Sequence, residues 1–69
     1  MSDKVYKKIE LTGTSATSQD DAIRQALAKA SQTVRNMRWF EVVESRGSVK
    51  DGKVEQFQVT LKIGFALDE

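Results

Sequence analysis

Residues 54–67 restrict the fold of this chain more than any other segment. Apolar side chains occupy every second position five times in succession, with polar side chains between them, at Phe57, Val59, Leu61, Ile63 and Phe65. Successive side chains of a β-strand point to opposite faces of a sheet, so the pattern predicts one strand with an apolar face and a polar face. The remaining residues of the chain can then be assigned to one of these two faces.

The first half of the chain predicts a strand and a helix. Residues 4–12 alternate apolar and polar side chains, with a break at Lys7, and predict a strand followed by a loop over residues 13–17. Ser18 has the character of a helix N-cap, and Asp21 stands at the capping-box position. We expect an amphipathic helix of about five turns. Its core stripe is Ile23, Ala26, Leu27, Ala30, Val34 and Met37.

The second half of the chain predicts a hairpin. Residues 39–49 form the second strand, and Asp51-Gly52 is the turn signal that joins it to the third. A right-handed crossover makes the first two strands parallel, and the third strand lies between them. The predicted fold class is therefore α+β, with β-α-β-β order and a three-stranded antiparallel sheet packed around one helix. Residues 1–69 are expected to form a single domain.

The hairpin turn also sets the pairing of the last two strands. With Asp51 and Gly52 as its central residues, Trp39 lies opposite Gly64 and Glu41 lies opposite Lys62. All four then join the polar face, where Glu41 and Lys62 would form a favourable cross-strand charge pair.

The same pairing creates a conflict in the middle of the hairpin. It turns Glu44 and Arg46 toward the apolar face, where unpaired charges are unfavourable. A β-bulge near Arg46-Gly47 would turn both side chains outward, and glycine is common at bulges. We therefore expect a bulge at this position.

Composition excludes several classes of function. The 69 residues include no cysteine and no histidine, which removes disulfides, the usual zinc sites and histidine general bases. The 11 basic and 10 acidic residues are interspersed, which argues against a nucleic-acid partner. No segment is typical of a signal peptide or a membrane helix, so a cytoplasmic protein is expected. A chain this small usually gains stability by forming oligomers.

The polar face presents the candidate site. The single helix covers the other face, so Trp39, the only tryptophan, is left bare. Such a residue is more often packing or interface than ligand site, while Gln58 and Arg46 are ordinary surface residues in most proteins. Trp39 and Gln58 share the face but lie six positions apart, about 20 Å along the strand. One small aromatic ligand can contact both only if two subunits build the site.

At these residues the sequence resembles the dodecins, a family of small flavin-binding proteins. The matching segments cover nearly the whole chain in order: Val5-Tyr6-Lys7-Lys8-Ile9-Glu10-Leu11 with Gly13-Thr14-Ser15, Trp39-Phe40-Glu41-Val42 with Arg46-Gly47, and Gln56-Phe57-Gln58-Val59 with Gly64-Phe65. The resemblance implies a hollow dodecamer of β-α-β-β subunits. It also implies flavin sites on two-fold axes, where paired rings stack between tryptophans of neighbouring subunits.

The resemblance assigns roles to three residues. Trp39 matches the stacking tryptophan, and Gln58 matches the glutamine that hydrogen-bonds the polar edge of the flavin ring. Arg46 matches a basic residue near the ligand phosphate in bacterial members, which favour FMN over riboflavin. An arginine is expected in many bacterial relatives where Ala66 stands here, which makes flavin binding a firmer expectation than the preference for FMN. Some bacterial members also carry coenzyme A, for which Tyr6 and Lys8 are candidate contacts.

Three functions follow as alternatives. The first is a flavin-binding oligomer for storage, buffering and photoprotection, which is a binding protein and not an enzyme. The second is a structural or interaction oligomer in which Trp39 only seals a subunit interface. The third is a flavoenzyme or hydrolase using Glu41 and Glu44. This third function is disfavoured, because those residues point to opposite faces without a bulge and have no supporting nucleophile or base.

Overall fold

The computed structural model describes residues 3–67, and the domain predicted over residues 1–69 extends beyond them at both ends. Its elements are β1 (Tyr6–Ser15), α1 (Gln19–Ala30), β2 (Met37–Lys50) and β3 (Lys53–Ala66). The sheet order is β1-β3-β2, with β3 antiparallel to both neighbours. The predicted fold class and the central position of the third strand are confirmed. No helix among residues 3–67 has the length and apolarity needed to cross a membrane.

The core lies between β3 and α1. Val59, Leu61 and Ile63 of β3 are fully buried, as their alternation predicts. The helix packs on them through small side chains at Ala22, Ala26 and Ala30. A Cβ at Gly13 of β1 would overlap the backbone of Ala22, so a glycine is needed where the helix crosses this strand. Close contact between α1 and the sheet therefore depends on small residues on both sides.

The start of α1 confirms the predicted cap. The Ser18 hydroxyl accepts a hydrogen bond from the Asp21 amide at 3.0 Å. The Asp21 carboxylate accepts from the buried Ser15 hydroxyl at 2.6 Å instead of reaching the N-cap amide. Strand β1 continues to Ser15, three residues beyond its predicted end. Residues 13–17 are therefore not a loop throughout.

The end of α1 differs from the prediction. The helix stops at Ala30 after 12 residues, which is about three turns and not five. Val34 lies in the following turn, and Met37 begins β2. The Ser31 hydroxyl donates to the Ala28 carbonyl at 2.7 Å, and serine, threonine and valine after Ala30 favour a helix less than alanine does. Apolar spacing alone could not reveal this stop, because Met37 still packs against the core although it belongs to β2.

The β2–β3 hairpin confirms the predicted turn and most of the pairing. Asp51 and Gly52 both have positive φ, 54° and 75°, as a type I′ turn requires. Trp39 lies opposite Gly64, and Glu41 lies opposite Lys62. The two-residue turn is therefore sufficient to place the tryptophan.

The predicted bulge at Arg46-Gly47 is wrong in position. Two irregularities flank that segment, one between Val42 and Glu44 and one between Ser48 and Val49. Between them the pairing is shifted by one residue, so Glu44 pairs with Thr60 and Arg46 with Gln58. The shift turns both charged side chains away from the core. Two compensating bulges, in place of the one predicted, thus keep Glu44 and Arg46 off the apolar face.

Strand β2 is left uncovered by the rest of the subunit. The helix lies over β1 and β3, so Phe40 and Val42 remain 44% and 48% exposed although they face the helix side. The expectation that α1 covers one whole face of the sheet is therefore wrong for this strand. The radius of gyration is 14.4 Å, against about 11 Å for a compact chain of this length. Both features fit the homo-oligomer expected from the family resemblance.

Candidate functional site

The face of the sheet opposite α1, here called the outer face, carries two separate groups of side chains. The indole end is formed by Tyr6, Lys8, Trp39, Glu41 and Gly64. The amide end is formed by Glu44, Arg46, Gln56 and Gln58. Each group draws residues from strands that lie side by side in the sheet, so backbone pairing fixes its composition.

The indole of Trp39 lies flat on the sheet. A Cβ built on Gly64 would overlap three adjacent ring atoms, Cε2, Cζ2 and Cη2, almost equally, which requires the ring to face the glycine and not meet it edge-on. Gly64 is buried beneath the ring, whereas Trp39 remains 39% exposed. One face of the indole is therefore seated on backbone, and the opposite face is open.

Two further side chains contact this indole. Tyr6 meets the ring edge-on, with centroids 5.3 Å apart and planes at 68°. The indole Nε1 donates to Glu41 Oε1 at 3.4 Å, and Lys8 Nζ lies 2.7 Å from the same oxygen. Edge-to-face aromatic contacts and charge-assisted hydrogen bonds both favour one ring orientation.

The charge pair at Glu41 differs from the sequence prediction. Glu41 is opposite Lys62 as expected, but its carboxylate bonds Lys8, which lies two strands away on β1. The hydrogen bonds from Lys8 and Trp39 hold the pKa of Glu41 below its ordinary value, and the charge of Lys62 acts in the same direction. The carboxylate is therefore ionised over the whole neutral range and remains a strong acceptor for the indole N–H.

The amide end is a row of hydrogen-bonded side chains. Arg46 Nε donates to Gln58 Oε1 at 2.8 Å, and Gln58 Nε2 donates to Gln56 Oε1 at 3.0 Å. Arg46 Nη1 also lies 3.9 Å from Glu44 Oε1. These bonds orient the Gln58 amide, which keeps one free N–H and one free lone pair for another partner.

The structure brings two of the three predicted site residues together and leaves the third apart. Arg46 and Gln58 are directly paired, whereas Trp39 lies opposite Gly64, six positions farther along β3. That offset corresponds to about 20 Å along the strand. Within one subunit, a single ligand ring cannot contact both the indole and the amide.

The neighbours of the indole could not be predicted from the sequence. Glu41 is predicted on the polar face, but strand pairing does not show that the side chain of Lys8 reaches diagonally across β3 to it. Tyr6 and Lys8, the candidates for coenzyme A, contact Trp39 and Glu41 here, so a ligand that used them would disturb the indole. Ala66, where the family resemblance predicts arginine, pairs with Tyr6 and is buried.

The carboxylates considered for catalysis are each occupied by a cation. The bulge puts Glu41 and Glu44 on the same face, but Glu41 pairs with Lys8 and Glu44 lies near Arg46. In the part of the chain that the structure describes, no group of three or more His, Cys, Asp or Glu side chains could hold a metal ion. The described site therefore consists of an aromatic face, an amide and a guanidinium.

Comparison with known proteins identifies the family. The dodecin family model matches residues 5–68. The dodecin of Thermus thermophilus is 50% identical over 66 residues, which span 96% of either chain. The chain belongs to the dodecin family. The structure of dodecin from Streptomyces coelicolor has a TM-score of 0.94 and 48% identity, covering 100% of this chain and 99% of that one.

Membership of the dodecin family indicates the general function of this chain. It supports a small flavin-binding protein that forms homo-oligomers and acts in binding more than in catalysis. The calcium dodecin of Mycobacterium tuberculosis is a more distant relative, 30% identical over 63 residues that span 91% of this chain and 89% of its own. The word calcium in this name describes that protein alone.

Proposed function

We propose that this dodecin binds FMN in an oligomer, expected to be a dodecamer, and stores, buffers and photoprotects the flavin without turning it over. Each flavin ring would stack on Trp39 of one subunit and receive a hydrogen bond from Gln58 of another. The observation that carries the proposal is the indole seated on Gly64 with its outer face bare. Such a surface suits a flat aromatic ligand.

The separation of the two ends supports a site shared between subunits. About 20 Å between Trp39 and Gln58 exceeds the width of a flavin ring system. A two-fold axis between two outer faces would set the indole end of one subunit against the amide end of the other. Each axis would then create two equivalent ligand positions, which matches the paired rings implied by the family resemblance.

The amide end supplies groups that fit the flavin ring and its phosphate. The Gln58 amide offers both a donor and an acceptor, as does the polar edge of the isoalloxazine ring. Arg46 uses Nε on Gln58 and has Nη1 3.9 Å from Glu44 Oε1, which leaves Nη2 for a phosphate. We propose that Arg46 therefore favours FMN over riboflavin while keeping the glutamine in position.

Stacking on an indole would also explain protection from light. Indole is an electron-rich ring that can reduce an excited flavin held in contact with it, and the return of that electron restores both ground states. The flavin would lose its excitation without reacting with other molecules. Storage and photoprotection would thus come from the same contact.

The competing function is a structural oligomer in which Trp39 only seals an interface. The exposure of Phe40 and Val42 favours this alternative, because an apolar strand requires cover from another chain with or without a ligand. The two functions differ in what the tryptophan contributes. Stacking predicts ligand binding that depends on the indole, and sealing predicts assembly that depends on it.

Titration with FMN tests the proposal. Added protein should quench FMN fluorescence to a saturating end point, and Trp39→Ala should abolish quenching while size-exclusion chromatography shows an unchanged oligomer. Trp39→Phe serves as the matched control, because it keeps a smaller aromatic face and should retain part of the affinity. A colourless protein that fails to quench FMN, together with dissociation of Trp39→Ala into monomers, would favour the structural function.

A further inference from the structure

The orientation of the Trp39 indole is set by a chain of polar contacts that spans the sheet. Lys8 on β1 bonds Glu41 on β2, and Glu41 in turn accepts the indole N–H. Both partners of Glu41 cross over β3 near Gly64, which has no side chain to obstruct them. Two edge strands therefore meet above the central strand at one carboxylate.

We propose that Glu41 is the positioning residue for Trp39. Its carboxylate, held by Lys8, keeps the indole flat on Gly64 so that the opposite face is ready to stack on an aromatic ligand. The identity of that ligand as a flavin rests on the function proposed above. The positioning itself concerns the subunit and can be observed without any ligand.

The geometry explains why such a residue is needed. The indole lies at the surface with one open face, so packing alone contacts it from only one side. Tyr6 packs against the ring in a T-shaped contact, and the indole N–H has Glu41 as its acceptor. A stacking partner that is fixed beforehand loses less conformational freedom when the ligand binds, which strengthens binding.

Lys8 has a distinct part in this arrangement. Glu41 is exposed, so packing alone does not restrict its side chain to one rotamer. The 2.7 Å ion pair with Lys8 selects the rotamer that meets the indole. Lys8 therefore acts on Trp39 through Glu41, without a hydrogen bond to the indole of its own.

The near-ultraviolet circular dichroism of the ligand-free oligomer tests the inference, because the long-wavelength indole band comes from a single tryptophan. Glu41→Leu should lose most of this band, and Lys8→Met should lose part of it. Glu41→Gln should keep more of the band than Glu41→Leu, because its amide oxygen can still accept the N–H. Glu10→Leu is the matched control, since Glu10 is also opposite Lys62 and should leave the band unchanged.

FMN titration of the same variants separates this inference from the proposed function. Glu41→Leu should weaken FMN binding by about threefold to tenfold, the range expected when one exposed hydrogen bond is lost. If the band falls but even the wild-type protein ignores FMN, the positioning role stands and the proposed function fails. If wild type binds FMN and neither Glu41→Leu nor Lys8→Met changes the band, the positioning role is overturned. If the Glu41→Leu oligomer dissociates, the indole bands of Lys8→Met and Glu41→Gln decide whether Glu41 positions Trp39.

Discussion

The two ends of the outer face are held in different ways. At the indole end, a ring rests on backbone at Gly64 and is bounded by contacts from all three strands. At the amide end, Gln58 is held by hydrogen bonds to the long side chains of Arg46 and Gln56. We therefore expect the stacking surface to be the more rigid of the two ends and the polar partner to be the more adaptable.

Glycine substitutions should expose this difference most strongly. A Cβ at Gly64 overlaps the indole, so Gly64→Ala must displace Trp39, destabilise the protein by about 1–3 kcal/mol and remove flavin binding. A Cβ at Gly47, near the amide end, would lie 3.0 Å from the Gln56 carbonyl oxygen and 3.8 Å from Val54 Cγ1, and should cost less. Thermal unfolding of Gly64→Ala and Gly47→Ala, followed by FMN titration, measures the contrast. Equal effects at both positions would mean that the two ends are equally rigid.

Truncation of Trp39 should reduce FMN affinity more than truncation of Gln58, in line with the contrast between the two ends. Stacking of a ring on an aromatic side chain is worth about 1–3 kcal/mol, so Trp39→Ala should weaken FMN binding roughly tenfold to a hundredfold. A neutral hydrogen bond is worth about 0.5–1.5 kcal/mol, so Gln58→Ala should lose about threefold to tenfold. Isothermal titration of both variants compares them directly. A larger loss at Gln58 would contradict the dominance of the indole.

Removal of the guanidinium should lower the selectivity for FMN over riboflavin. Arg46→Met should weaken FMN binding by about fivefold, because one exposed charge-assisted contact to phosphate is lost, and the loss should shrink at high salt. Riboflavin has no phosphate, so its affinity should change less. Arg24→Met, on the helix, is the control with the same change in charge. An equal loss for both flavins would show that Arg46 acts only through Gln58.

Acidification should loosen the indole end only below the ordinary pKa of a glutamate. The folded-state pKa of Glu41 lies below its ordinary value, so its stabilising contribution is fully present above the unfolded pKa and disappears as pH falls through the folded pKa. Tryptophan fluorescence should therefore stay constant through the ordinary carboxylate range and change only below it. The transition should be absent in Glu41→Gln. A change centred at or above the ordinary value would argue against the Lys8 contact.

Much of the fold could be predicted because it depends on local patterns. The alternation in β3 identifies its buried face, and Asp51-Gly52 sets a pairing that places Trp39 opposite Gly64. Ser18 marks the start of the helix correctly. Each of these features depends on residues close in sequence, where side-chain period and backbone conformation decide the outcome.

The remaining features depend on contacts between distant elements. The second bulge cancels the one-residue shift in strand pairing that the first introduces. The pairing at both ends of the hairpin therefore gives no sign of either bulge. The exposure of β2 follows from where α1 packs, which is set by Gly13 and the helix alanines. The bond between Lys8 and Glu41 joins residues on the two outer strands. Sequence spacing carries no information about such diagonal reach.

The central claim is that the indole and the amide of one ligand position come from different subunits, and mixed oligomers test it most directly. Trp39→Ala and Gln58→Ala chains, each defective alone, are unfolded together, reassembled in equal amounts and titrated with FMN. Random pairing about a two-fold axis should restore about a quarter of the wild-type sites, because a mixed pair contains one position with both side chains intact. Quenching no greater than the average of the two separate variants would contradict the account.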